Sequence, residues 1–414
     1  MIELERALEL VLADVPQRAS ENIPLGEACG RFLARALHSE TALPLFDNSA
    51  MDGYAVKTED VGSAREDSPV RLRVIGKAPA GEVFRGSVTS GTCVRLFTGS
   101  ALPAGADAVV MQEDTRETEE AEQAAPHSEI SKPDDEVLIL SSAKPWENVR
   151  LRGEDVKAGE LLGRAGAKLT IAQMGLLAAC GCAQVAVGSR PILGLVATGS
   201  ELREPGQMLN QGQIYESNRV MLAAAATRAG AIPKIWPLVP DTLDDTRRAL
   251  SEAFSTCDLV LTSGGVSVGE MDFVKRALEE IGGSLRFWKV AIKPGRPFVF
   301  GRAMGKLFFG LPGNPVSALV TFLLLVRPVL LRWQGASELG LDTVPGILSE
   351  PLANRGERRH FFRVRRDPDG NVFSTGVQAS HMLSSLAAAN GLVDVAPNQA
   401  LPAGDQVKVL TWEA

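Results

Sequence analysis

Apolar residues at Leu4, Leu8, Val11, Leu12 and Val15 recur at helical spacing, and residues 1–40 are expected to be helical. A Pro/Asn/Gly segment follows over 41–57. From 58 to 145 the pattern changes to short alternating runs such as Arg71–Ile75 and Thr92–Leu96, punctuated by Gly and Pro. That pattern predicts a small β domain. Helical patterning returns over 146–190, with Thr170–Cys180 as a candidate helix. At Arg190 continuous apolar runs begin to alternate with amphipathic ones. Pro191–Ala197, Ile232–Val239, Asp258–Thr262 and Lys306–Gly310 are expected strands. Ser217–Gly230, Leu243–Phe254, Phe273–Ile281 and Pro315–Leu331 are expected helices. Alternation of this kind predicts an open, mostly parallel α/β sheet. From about residue 335 short strands and turns such as Asp367–Gly370 resume, predicting a second small β domain. The expected fold class is therefore α/β multidomain: a central open mostly parallel α/β domain, an inserted β domain, a helical N-terminal segment and a C-terminal small β domain. The expected boundaries are 1–45 plus 146–190, 46–145, 191–333 and 334–414.

Composition narrows the function. A 414-residue chain with 45% hydrophobic and 22% charged residues is ordinary for a globular protein of several domains. A formal charge of −7 argues against nucleic acid as a partner. The apolar run Val316–Val326 is too short to span a bilayer and is expected to be a core helix, so no membrane is expected. Met1-Ile-Glu-Leu-Glu-Arg does not resemble a secretory leader. Cys29, Cys93, Cys180, Cys182 and Cys257 are scattered and are expected to be buried free thiols, in keeping with a cytoplasmic location. The acidic stretch 115–136 is expected to be a solvated hairpin or loop.

Against that acidic background, Ile281–Lys306 holds six Lys/Arg (Arg286, Lys289, Lys293, Arg296, Arg302, Lys306) and no Asp or Glu. Within it, Lys293-Pro-Gly-Arg-Pro297 presents positive charge on a Gly/Pro-kinked backbone, which suits a small oxyanion or phosphate ester. Three Gly-rich or polar loops follow predicted strands: Thr198–Leu202, Thr262–Asp272 and Gly310–Ser317. Ligands of open parallel sheets bind outside the carboxyl ends of the strands, so the topology brings these loops to one crevice. Glu201, Asp241, Glu270 and Asp272 stand at the same edge; beside a phosphate they make sense as ligands of a bridging Mg²⁺, with ordinary helix capping as the competing reading for Asp241 and Asp272. The four histidines have no metal-like spacing, and neither a Gly-x-Ser-x-Gly elbow nor a Walker-type phosphate loop occurs.

Seven ordered motifs run through the chain: Phe46–Val56, Thr98–Gln112, Arg152–Asp155, Thr198–Leu202, Ser263–Gly269, Lys293–Pro297 and Gly310–Pro315. Together they resemble the molybdopterin molybdenumtransferases, the family of bacterial MoeA and the gephyrin E domain, over essentially the full length. The resemblance implies insertion of molybdate into adenylylated molybdopterin, with release of AMP and a need for Mg²⁺ or a similar divalent cation. It implies a homodimer, with other proteins of molybdenum-cofactor biosynthesis as a further partner class. By resemblance, Lys293, Arg296 and Ser317 bind molybdate or phosphate, with Pro297, Gly313 and Asn314 beside them and Ser267 and Lys289 in the same substrate-binding set. Glu201, Asp241 and Asp272 are the implied metal-side carboxylates. Asp52, Thr98 and Asp155 are implied to complete the catalytic set, and Arg363, Ser380 and Ser385 to face the oxyanion. The chain has Arg296 where the family commonly has Lys, Ser200 where Asp is common, and Val377 where His is common. The alternatives are a molybdopterin adenylyltransferase, a tungstate-preferring paralogue and a non-enzymatic dimeric scaffold.

Overall fold

The computed structural model describes residues 1–16, 19–117, 135–265 and 273–412. The acidic 118–134 stretch and the 266–272 loop, with Ser267, Glu270 and Asp272, lie outside the described residues. The chain forms two units: 1–35, 164–170 and 184–414 make one, and 36–163 with 171–183 make the other.

The larger unit contains α1 (Leu4–Ala13) and an alternating series: β1 (Ile192–Ala197), α2 (Asn218–Arg228), β2 (Ile232–Ile235), α3 (Leu243–Thr256), β3 (Leu259–Ser263), α4 (Phe273–Glu280), β4 (Ser284–Phe287), β5 (Val299–Ala303), β6 (Lys306–Leu311) and a long helix, α5 (Pro315–Trp333). The sheet order is β2-β1-β3-β6-β5-β4. The first four strands are parallel, whereas β5 and β4 add antiparallel edge strands. Strands β1, β3 and β6 are almost wholly buried, which explains their unbroken apolar sequences. Leu195, Leu261 and Phe309 pack with α2 and α5 in one core, while Val196, Val260 and Phe308 turn the other way toward Trp236, Leu250 and Phe254. This is the two-residue alternation of a strand covered on both faces.

The apolar helix α5 is a core element, with 78% of its apolar window buried inside the fold. It carries a π segment over Phe322–Val326, immediately before Arg327 and Pro328. Proline has no N–H to continue the i→i−4 ladder, and a wider local turn is one way for a helix to pass it. The C-terminal part holds β7 (Asp342–Leu348), β8 (Arg359–Arg366), β9 (Asn371–Ser374), β10 (Gly391–Val395) and β11 (Gln406–Thr411). Strand β8 pairs with both β9 and β10, which closes this sheet, and Ile292–Lys293 adds to its edge in parallel with β8.

The smaller unit is built on a six-stranded sheet ordered Ala108–Met111, Gly53–Val56, Thr92–Leu96, Val70–Ala78, Glu136–Ile139 and Thr115–Glu117. Tyr54 and Val56 enter one apolar cluster with Leu72, Val74 and Cys93; Ala55 enters the opposite cluster with Val94 and Leu96.

Three sequence expectations are corrected. Helix covers Leu4–Ala13 of the first forty residues, followed by short strands and turns, because Pro16, Pro24 and Gly26 interrupt the apolar periodicity. Over 146–190 the helix is Ile171–Ala179, with turns and short strands around it. The thiols are free, but Cys29 is exposed and Cys182 half-buried, leaving Cys93, Cys180 and Cys257 as the buried ones.

Candidate functional site

Loops at the carboxyl ends of β1, β3 and β6 share one edge of the parallel sheet. After β6, Pro312–Asn314 leads into α5, with Asn314 at the helix N-cap and Pro315 preset for its first turn. Gly313 packs against Gly264: a Cβ at Gly313 would stand 3.7 Å from the Gly264 Cα. The buried Asn218 of α2 ties these loops together, donating to Ser263 Oγ and to the Gly313 carbonyl, each at 2.7 Å. Gly264 holds φ +88°, a left-handed conformation that favours glycine.

Beside this edge lies a cavity of about 640 Å³ lined by Lys293, Arg296, Pro297, Asn314, Ser317, Arg358, Ser380 and His381, among others. Three of its side chains are cations, and among the described residues none that lines it is Asp or Glu. The 293–297 loop bends tightly over α5: a Cβ on Gly295, at φ +109°, would collide with the Thr321 methyl. Arg358 Nη1 donates to the Ile292 carbonyl at 2.9 Å, fixing a guanidinium beside Lys293 and Arg296. Burial, and then the neighbouring Arg296, lower the pKa of Arg358. The opposite wall, 377–381, is held to the start of α5 by Asn314 Nδ2 donating to Ser380 Oγ at 3.1 Å and the Val316 N–H donating to the Ser380 carbonyl at 3.2 Å.

Arg363 and Ser385 stand behind that wall. Arg363 is fully buried, donates through Nε to Ser385 Oγ at 3.0 Å, and through Nη2 to the Val377 and Ala379 carbonyls at 2.8 and 3.2 Å. Their geometry shapes the loop that bears Ser380. The adjacent His360, paired with Lys293 across the β8 edge, is also buried. Burial first, and then Lys293, Arg363 and Arg358, push its pKa down to about 3, so the ring is neutral near neutral pH. Lys289 lies before this loop; its carbonyl accepts from the Ile2 N–H at 2.9 Å, and it is not among the residues lining the cavity.

The carboxylates Glu201 and Asp241 occupy neighbouring loops after β1 and β2. Ser200 N–H donates to Asp241 Oδ2 at 3.1 Å, and the Asp241 N–H donates back to Ser200 Oγ at 3.2 Å. Glu201 is exposed. Its loop is anchored by buried Arg219, which pairs with Glu204 at 2.8 Å and with buried Glu216 at 3.1 Å, and also donates to the Trp236 carbonyl. Among the described residues no cluster of three His, Cys, Asp or Glu forms a ready-made metal cage.

In the smaller unit Asp52 and Thr98 form one polar element: Asp52 Oδ1 accepts from the Thr98 N–H at 2.7 Å and from Thr98 Oγ1 at 2.8 Å. These bonds, chiefly the backbone one, lower the Asp52 pKa, with a smaller contribution from Arg95. Arg95 is buried, lies over the Tyr54 and Phe97 rings at 4.9 and 5.3 Å, and donates to Gln112 at 2.5 Å. Asp155 is exposed on a separate loop whose backbone N–H donates to the Leu43 carbonyl at 3.1 Å.

Sequence reasoning did not single out Arg358, His381 or Arg95. Arg358 is separated from the basic run by more than fifty residues, and strand pairing at the Ile292–Lys293 edge brings it there.

The class defined here is a multidomain α/β protein with a cationic cavity at the carboxyl edge of its sheet. The chain matches the family models for the MoeA N-terminal region (domain I and II) over residues 2–181, a probable molybdopterin binding domain over 194–332 and the MoeA C-terminal region (domain IV) over 345–412. A molybdopterin molybdenumtransferase of Haemophilus influenzae is 37% identical over 398 residues, covering 94% of this chain and 93% of its own. One of Bacillus subtilis is 32% identical, covering 95% and 89%. The crystal structure of a molybdopterin biosynthesis MoeA protein from Pyrococcus horikosii superposes with a TM-score of 0.83 at 32% identity, covering 100% of both chains. The chain belongs to the MoeA family of molybdopterin molybdenumtransferases.

Proposed function

We propose that this protein transfers molybdenum to molybdopterin, taking adenylylated molybdopterin and molybdate as substrates and releasing AMP. The observation that carries the reading is the cavity holding Lys293, Arg296 and Arg358, with no lining carboxylate among the described residues. A tetrahedral dianion in such a site gains charge-assisted hydrogen bonds from the cations and ordinary ones from Ser317 and Ser380. Arg296 adds a planar fork where a lysine would offer a point charge. Arg363 and Ser385 act through the 377–381 wall in this reading.

The hard oxygen donors Glu201 and Asp241 fit Mg²⁺, which usually takes one or two protein carboxylates and fills its other positions with water and substrate phosphate. When bound, the cation neutralises phosphoanhydride charge. The chain's own residues orient the reactants. Attack by an oxygen of water or of the oxyanion on phosphorus breaks the P–O–P bridge, and the bridging electron pair leaves with the phosphate that does not receive the new bond. No covalent enzyme intermediate is invoked: among the described residues no cysteine lines the cavity. Asp52, Thr98, Asp155 and Asp272 are proposed to take part in the reaction. A cytoplasmic homodimer is proposed on the same footing.

The test is incubation of the purified chain with adenylylated molybdopterin and Mg²⁺, with and without molybdate. Molybdate-dependent AMP is the expected result. ATP consumption to adenylylate molybdopterin without molybdate would instead identify an adenylyltransferase.

A further inference from the structure

A second cavity, of about 550 Å³, lies in the larger unit among the 28–32 turn, the 164–168 turn, the carboxyl end of α2 and the segment following α5. None of its residues lines the oxyanion cavity. Its charged lining is Lys168, Arg190, Arg228 and Arg327 against Glu338 and Asp342, an excess of two cations in a protein of net charge −7. Among the described residues, Lys168, Arg190 and Arg327 form no ion pair. Arg327 instead donates through Nη1 to the Leu339 and Gly340 carbonyls at 3.1 and 2.9 Å. Its guanidinium is thus fixed in place; burial lowers its pKa, and the neighbouring Asp342 carboxylate offsets part of that. Arg228 Nε donates to the Trp412 carbonyl at 2.9 Å.

The walls are rigid. Buried Gln334 donates to the Ala229 and Leu330 carbonyls at 2.7 and 2.9 Å, joining the ends of α2 and α5. Gly166, at φ +81°, has room only for hydrogen: a Cβ would stand 2.7 Å from the Gly335 carbonyl oxygen and 2.9 Å from the Ser337 nitrogen. The Ser337 N–H donates to the Gly166 carbonyl at 3.1 Å.

We infer that this cavity is an anion site for a small phosphate-bearing ligand, held by Lys168, Arg190 and Arg327 and separate from the oxyanion site of the proposed reaction. Lys168 and Arg190 are exposed and form no ion pair among the described residues, Arg327 lines the same cavity on its carbonyl anchors, and a polyphosphate can accept charge-assisted hydrogen bonds from several of these cations at once. The ligand is either free pyrophosphate or the diphosphate portion of a nucleotide; their shared chemistry is the diphosphate.

The experiment uses the full chain carrying Lys293→Ala and Arg296→Ala, so that binding at the other cavity is suppressed. Inorganic pyrophosphate and ADP are titrated separately by calorimetry. Saturable one-to-one binding of either is expected, with affinity falling about tenfold or more when Lys168→Ala and Arg190→Ala are added, as for loss of charge-assisted bonds. Tighter binding of ADP assigns the site to a nucleotide; equal binding assigns it to the bare diphosphate. Both residues are exposed, so circular dichroism of the quadruple variant should match its parent. Absence of saturable binding by both probes, or affinity unchanged on removing Lys168 and Arg190, overturns the proposal. It would leave the molybdenum-transfer reading untouched, because that reading rests on the other cavity.

Discussion

Removing Lys293 or Arg296 tests the oxyanion cavity directly. Both side chains line it, and both are exposed, so neither substitution leaves a buried hole or a buried unpaired partner. A hydrogen bond to a charged group contributes about 1.5–3 kcal/mol, and solvent access places these at the lower end. At about 1.4 kcal/mol per decade, each of Lys293→Ala and Arg296→Ala should raise half-saturating molybdate about tenfold. Arg358 remains anchored to the Ile292 carbonyl in both variants, so binding weakens without vanishing. Arg296→Lys keeps the charge and loses the fork, and should fall between wild type and Arg296→Ala. The assay is initial AMP release against molybdate at saturating adenylylated molybdopterin and Mg²⁺. A rise in KM for molybdate with a smaller change in kcat is the signature of lost ground-state binding. A KM within twofold of wild type in both single variants would refute the reasoning and remove molybdate from this cavity.

Thr98→Val removes one of the two hydrogen bonds that stabilise ionised Asp52, so the acid limb of the pH–rate profile should move to higher pH; an unmoved limb excludes Asp52 as its origin. His360 is held neutral down to about pH 3, whereas an unfolded histidine gains a proton near pH 6.5; stability should therefore fall with decreasing pH between these values, by up to about 1.4 kcal/mol per pH unit. Denaturant midpoints of His360→Phe across that window should show a shallower fall, and an identical pH dependence would contradict this. Arg219→Met strands buried Glu216 and should cost about 3–5 kcal/mol in urea unfolding, with recovery in the Arg219→Met/Glu216→Leu double variant. A loss under 1 kcal/mol by that measurement would mean that Arg219 does not secure the Glu201 loop.

The parallel core was legible because its strands are buried on both faces and therefore read as unbroken apolar runs: Ile192–Ala197, Leu259–Ser263 and Lys306–Leu311 fall close to where the pattern put them. Val299–Ala303 was not assigned as a strand, because its sequence lies inside the basic, Gly/Pro-rich strip and its pairing with β6 is antiparallel. The first forty residues misled because one amphipathic turn-and-a-half after another looks helical until the prolines are weighed. At the site, Lys293, Arg296, Asn314 and Ser317 were legible as dense local motifs. Arg358 and His381 come from the C-terminal sheet, through strand pairing and loop closure that no local window contains. Arg363, implied by the resemblance to face the oxyanion, illustrates a different limit: no local window shows that it is completely buried with Nη2 donating to the Val377 and Ala379 carbonyls.

The most direct measurement of the central claim is stoichiometry in a single reaction: molybdenum retained in the pterin product, counted against AMP released. The account gives one AMP for each molybdenum inserted, with neither product formed when molybdate is omitted. AMP released at the same rate without molybdate, or molybdenum incorporated without AMP, would contradict it.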